Sequence, residues 1–211
     1  MLEPFIQKEY TGLEALYRHL HSHPELSLKE EKTSARIAEE LEALGLSVTR
    51  NVGGKGVVAL LKNGAGPAIL IRADMDALPV TEATGLSYAS RENGIMHACG
   101  HDIHMTCLVG TARLLQGLKN NWKGTVIFIA QPAEEKGQGA EAMIKHGLFA
   151  RFPKPDYALA LHVDSQLPVG KIGYRSGPAF ANVDSVDVKV FGRGGHGAYP
   201  HLSVDPIVLA S

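Results

Sequence analysis

The stretch Pro67-Ala68-Ile69-Leu70-Ile71-Arg72-Ala73-Asp74-Met75-Asp76 sets the frame for the whole chain. Residues 67–71 are apolar on both faces, as a strand buried within a sheet must be, and two carboxylates follow directly. Three other short β-rich runs share this character, at 56–61, 125–130 and 157–162. Helical patterns at 104–118 and 139–146 fall between some of them. Two amphipathic helices open the chain, one carrying Leu13, Leu16, Tyr17 and Leu20, the other spanning 29–44 with Ile37, Leu41 and Leu44 before Gly45. Strands alternating with helices predict an α/β fold with a mostly parallel central sheet flanked by helices.

Near Gly177-Pro178 the pattern changes. Residues 184–191 alternate, with Val186, Val188 and Val190 on one side, which predicts a half-exposed strand. After a glycine-rich loop at 192–201, Asp205-Pro206-Ile207-Val208-Leu209-Ala210 reads as a helix start with Asp near the N-cap and Pro in the first turn. We therefore expect residues 1–179 to form one domain and residues 180–211 to begin a smaller α+β one. A second domain of roughly 30 residues cannot hold its own core, so an N-terminal fragment of a longer protein is expected.

The 211 residues carry 21 Lys+Arg against 22 Asp+Glu, a formal charge of -1, and no global field draws such a chain to nucleic acid or anionic lipid. No apolar run approaches the ~20 residues that span a bilayer, and the first ten residues lack a secretory pattern. A soluble cytoplasmic protein without nucleic-acid or membrane partners is expected. Two cysteines, Cys99 and Cys107, make no disulfide framework, and Cys99 stands among histidines, where it reads as a ligand or a nucleophile.

In an open α/β sheet the loops past the carboxyl ends of the strands converge on one rim. Asp74 and Asp76 follow the strand at 67–71, Glu134 and Glu135 follow that at 125–130, and His162 closes that at 157–162. A fourth cluster, His97-Ala98-Cys99-Gly100-His101-Asp102, precedes the helix at 104–118. Thiolate, imidazole and carboxylate donors together suit zinc. Gly100 permits the tight backbone that puts Cys99 and His101 on one loop, and His97 or His104 could add donors. Neighbouring side chains diverge, so of Glu134-Glu135 one carboxylate can hold metal while the other takes a proton from a water. A Glu-Glu pair by itself is ordinarily a solvated loop, and His162 by itself could be a core histidine. Their joint placement at strand ends is what points to a site.

The motifs 72–79 (Arg-Ala-Asp-Met-Asp-Ala-Leu-Pro), 97–102, 131–135 (Gln-Pro-Ala-Glu-Glu) and 192–201 (Gly-Arg-Gly-Gly-His-Gly-Ala-Tyr-Pro-His) together resemble the aminoacylase and carboxypeptidase-type metallopeptidases, in particular the branch with hippurate hydrolase, N-acyl-amino-acid amidohydrolases and indoleacetyl-amino-acid hydrolases. The resemblance implies a zinc-exopeptidase-like catalytic domain holding two divalent metal ions, zinc foremost, with manganese, cobalt or nickel as alternatives. It implies Cys99 as a bridging ligand, His101 and His162 as ligands of one metal, Glu135 as a ligand of the other, Glu134 as general base and Asp76 as the carboxylate that orients a ligand. It further implies that 180–211 begins a lid that also forms a homodimer, and that His196 reaches a partner subunit's site to polarise the scissile carbonyl. The substrate class implied is an N-acyl-amino acid or short peptide. One family ligand, a histidine near the end of a chain about twice as long, has no counterpart here, so the 211 residues alone are expected to be weakly active or inactive. Two rivals differ in class: a metal-free thiol hydrolase built on Cys99, His101 and Asp102, and a non-catalytic metal-binding module.

Overall fold

A computed structural model describes residues 2–182, 184 and 186–211. They divide into two compact units, Met1–Ser165 and Gln166–Ser211. The first unit holds β1 (Ser47–Val52), β2 (Gly56–Asn63), β3 (Ala68–Asp74), β4 (Gly124–Gln131) and β5 (Tyr157–Ala160), in spatial order β1-β2-β4-β3-β5. The β3, β4 and β5 strands are parallel, and β2 is antiparallel to both β1 and β4, so β2 alone runs against the others. The register sets Asp74 beside Gln131, which brings the carboxyl ends of β3 and β4 to one rim. This is the α/β architecture expected, with a mostly parallel sheet.

The alternation along β4 shows why the strand is apolar on both faces. Val126, Phe128 and Ala130 pack with Leu16 and Leu20 of α1 (Glu3–Ser22), Ile37 and Leu41 of α2 (Glu31–Ala43), and Met105 and Leu108 of α3 (His101–Gly117). Ile127 and Ile129 face the other way, against Val58, Leu70, Met143 of α4 (Gly139–Lys145) and Leu148 of α5 (Leu148–Arg151). Each such large side chain contributes about 1.5–3 kcal/mol on burial, so the sheet is fixed from both sides.

Three elements of the first unit differ from expectation. The β1 strand has no continuous apolar run, because it lies at the sheet edge and is exposed over much of its length. Helix α3 begins at His101 rather than 104, because its first turn is filled by buried polar residues, His101, Asp102 and His104, that interrupt the apolar period. Gly100 caps it at φ +86°, and a Cβ there would lie 2.3 Å from Val163 Cγ2, so the turn requires glycine. The run at 157–162, expected to be a buried central strand, forms a β5 that ends at Ala160 and is exposed throughout, since among the described residues it pairs only with β3.

In the second unit the strand expected at 184–191 is not formed among the described residues, where no neighbouring strand supplies a ladder; Ser185, within that run, and Val183 lie outside the described residues. The expected helix start is present as α6 (Pro206–Ala210), with the Asp205 carboxylate accepting from the backbone N–H of Ile207 and Val208. No helix among the described residues is long and apolar enough to cross a membrane.

One buried ion cluster ties α1 to α3. His21 Nδ1 lies 2.7 Å from Asp102 Oδ2 and Nε2 lies 3.2 Å from Glu82 Oε1, with the Tyr17 and Tyr88 rings packed around the imidazole. Burial opposes the charged imidazolium, but the two carboxylates outweigh it and raise the pKa above the ordinary 6.5. The stabilisation is therefore complete below pH 6.5 and is lost as the pH rises through the raised folded value. Denaturant titrations of wild type and His21→Gln should differ by about 1–3 kcal/mol near pH 6, with the gap closing on the alkaline side; a gap that widens with pH would contradict this assignment.

Candidate metal centre

Three loops past the sheet rim carry the candidate donors into one cluster. Cys99 Sγ lies 3.3 Å from His162 Nε2, and Cys99, His101 and His162 each offer a donor atom within 4.8 Å of the others. A second such group joins His101 to Glu134 and Glu135, with His101 Nε2 at 3.9 Å from Glu134 Oε2 and 3.8 Å from Glu135 Oε1. The structure thus brings together Cys99, His101, Glu134, Glu135 and His162. His196 lies in the second unit on an exposed turn, its Nδ1 accepting from the Ala198 N–H.

Asp76 organises the rim. Its Oδ1 accepts from Glu134 N and its Oδ2 from Glu135 N, each at 3.0 Å, and Ser27 Oγ donates to Oδ2 at 2.6 Å. Its backbone carbonyl accepts from His101 Nδ1 at 2.8 Å, which puts the proton on that nitrogen and leaves Nε2 as the donor atom facing the cluster. Burial opposes ionisation of Asp76, yet the hydrogen bonds from His101, Ser27 and the two backbone N–H groups outweigh it and hold the pKa at about 2.

Two further histidines resolve differently. His104 Nδ1 lies 2.6 Å from Asp74 Oδ1 and its Nε2 accepts from Val163 N at 3.0 Å, so both nitrogens are engaged and it braces the segment that carries His162. The other Asp74 oxygen pairs with Arg72 at 2.8 Å. His97 is buried with neither ring nitrogen partnered, and burial pushes its pKa down to about 4. Asp102 is bonded to His21, so the Cys99-His101-Asp102 array of a thiol hydrolase is not assembled.

The donor set fits a divalent cation on two observations. His101 Nε2 and Glu135 Oε1 are buried polar atoms with no hydrogen-bond partner, an arrangement that costs free energy unless a cation is supplied. Burial pushes the Cys99 thiol up to about 12, with the Glu135, Glu134 and Asp74 carboxylates adding to it. Nearby cationic charge is the physical means of reversing such a shift, and a coordinating thiol ionises outright.

Ser27, Glu30 and His21 escaped the reading of the sequence. Their partners lie 49, 103 and 81 residues away, and no local pattern signals such pairs.

Residues 70–210 match the model of Peptidase family M20/M25/M40. The chain is 42% identical over 207 residues to an N-acetyl-L-cysteine deacetylase of Bacillus subtilis, covering 98% of this chain and 48% of that one. It is 38% identical over 212 residues to an N-acyl-L-amino acid amidohydrolase of Geobacillus stearothermophilus, covering 100% and 56%. Among solved structures, a dinuclear metal-binding M20 peptidase of Bacillus subtilis superposes with a TM-score of 0.76 at 41% identity, over 82% of this chain and 48% of that one. The chain spans about half the length of these relatives. With the family pattern matched over most of its length and the candidate donors gathered at the sheet rim, the chain belongs to Peptidase family M20/M25/M40.

Proposed function

We propose that this chain supplies the greater part of the catalytic centre of a metal-dependent amidohydrolase, which cleaves the amide bond of N-acyl-amino acids or short peptides to a carboxylic acid and a free amino acid. The observation that carries the proposal is the convergence of Cys99, His101, Glu134, Glu135 and His162 donors around His101 Nε2 and Cys99 Sγ. The names of the deacetylase and amidohydrolase relatives support the substrate class. Because those relatives are about twice as long, the proposal concerns a protein of their length.

Cys99, His101, Glu135 and His162 are proposed to hold metal. Thiolate and imidazole donors favour zinc, while carboxylates also accept manganese, cobalt or nickel. Divalent metal at such a site supplies Lewis acidity that makes water nucleophilic near neutral pH and polarises the scissile carbonyl. Glu134 is the more exposed of the pair, its side chain 40% accessible against 22% for Glu135, so it faces incoming substrate. Its carboxylate takes the proton of the attacking water and returns it to the leaving nitrogen. Asp76 keeps Glu134 and Glu135 in register through their backbone N–H groups.

The finer assignments belong to the same proposal. Residues 1–179 serve as the catalytic domain, and 180–211 begin a lid that dimerises and brings His196 to a partner's carbonyl substrate. A cytoplasmic location accords with two free cysteines, Cys99 and Cys107.

In the full-length protein, Glu134→Gln should lower hydrolysis of N-acyl-amino acids by at least ~10²-fold with metal content unchanged, as expected for loss of a general base. Retained turnover would remove Glu134 from this role. A chelator should abolish activity and added zinc, manganese or cobalt restore it. Inhibition by thiol alkylation without any chelator sensitivity would favour the thiol hydrolase instead.

A further inference from the structure

The connector between α1 and α2 reaches both the segment that follows β3 and the turn that carries Glu134 and Glu135. Ser27 is buried, and its hydroxyl proton goes to Asp76 Oδ2, the oxygen that also accepts from Glu135 N. Glu30 is 0% exposed, and its Oε1 accepts from Ala133 N at 2.8 Å, one residue before Glu134. Two residues before Ser27, the Glu25 carbonyl accepts from the N–H of Ala77, the residue after Asp76, at 2.8 Å. Just before the connector, in the last turn of α1, His21 is bonded to Asp102, the residue after His101.

The Glu30 contact has a specific physical cause. Ala133 stands at φ +49°, a left-handed conformation that costs about 1–2 kcal/mol for a residue with a side chain. The turn it makes separates the backbone from the β4 ladder and sends Glu134 and Glu135 toward His101. Its buried N–H finds its acceptor in Glu30. An apolar side chain would pack at the Glu30 position without leaving Glu30 Oε2 unpartnered, as it is here, but would leave Ala133 N–H unbonded.

Resting on the metal-centre reading above, we infer that Ser27 and Glu30 are positioning residues: through Asp76 and Ala133 they hold the Glu134-Glu135 turn at the distance from His101 that metal binding needs. Neither side chain touches substrate or metal. Their effect is on the spread of donor positions, and therefore on metal affinity first and turnover second.

The test is zinc affinity of the full-length protein, read by competition with a chromophoric chelator, together with melting of the metal-free form. Ser27→Ala removes one oxygen atom and leaves the packing intact. It should weaken zinc binding by about 10–100-fold, the range for residues that orient ligands. Glu30→Ala should do the same, and Glu30→Gln, whose amide oxygen can still accept from Ala133 N, should recover most of the loss. If Glu30→Ala does not fold, Ser27→Ala and Glu30→Gln carry the test. Lowered melting of metal-free Ser27→Ala with zinc affinity equal to wild type would show a merely structural role and overturn the inference. Connector-dependent zinc binding in a protein that hydrolyses no N-acyl-amino acid would support the inference while removing the hydrolase reading.

Discussion

The Asp76 carboxylate lies beneath the sheet rim with Ser27 Oγ, Glu134 N and Glu135 N all donating to it and the Asp76 carbonyl fixing His101. Without those donors, burial would favour its neutral form; with them its pKa falls to about 2 and it remains an anion at every physiological pH. Two strands, one helix start and one connector thus meet at a single ion. Its position is in turn set by β3, which is paired to β4 in a register that puts both carboxyl ends on the same rim. The chain from core packing to candidate chemistry therefore has few free steps: Phe128 and its neighbours fix β4 against β3, and β3 delivers Asp76.

Above Asp76 the electrostatics are arranged for a cation. Asp74 is paired with Arg72 and hydrogen-bonded by His104, whereas Glu134 and Glu135 face His101 at nearly 4 Å, too far for a hydrogen bond. Burial and these carboxylates keep the Cys99 thiol protonated. Under the proposed ligation the Cys99 thiol would have to ionise as the positive charge arrives, so that metal uptake would release a proton.

Much of this was legible from residue patterns. The strands at 56–61, 67–71 and 125–130 were visible because both of their faces are buried, and the carboxylates at their ends were visible because the rim of an α/β sheet collects them. The β1 strand was not, because an exposed edge strand has no apolar run to betray it. The first turn of α3 was hidden by His101, Asp102 and His104, polar residues buried for their bonds rather than for hydrophobicity. Ser27 and Glu30 were invisible for a related reason: each is a common polar residue whose meaning comes from a partner far along the chain. The fold follows from local periodicity, whereas the support of the site is non-local and becomes apparent only once the strands are paired.

The central claim is that loops from separate strand ends assemble a divalent-metal centre that includes the Cys99 sulfur. X-ray absorption at the zinc edge of the zinc-loaded full-length protein tests it directly. A sulfur scatterer at about 2.3 Å together with nitrogen and oxygen ligands near 2.0–2.2 Å is expected, with the sulfur lost in Cys99→Ser. A first shell of nitrogen and oxygen alone in the wild-type protein would contradict it.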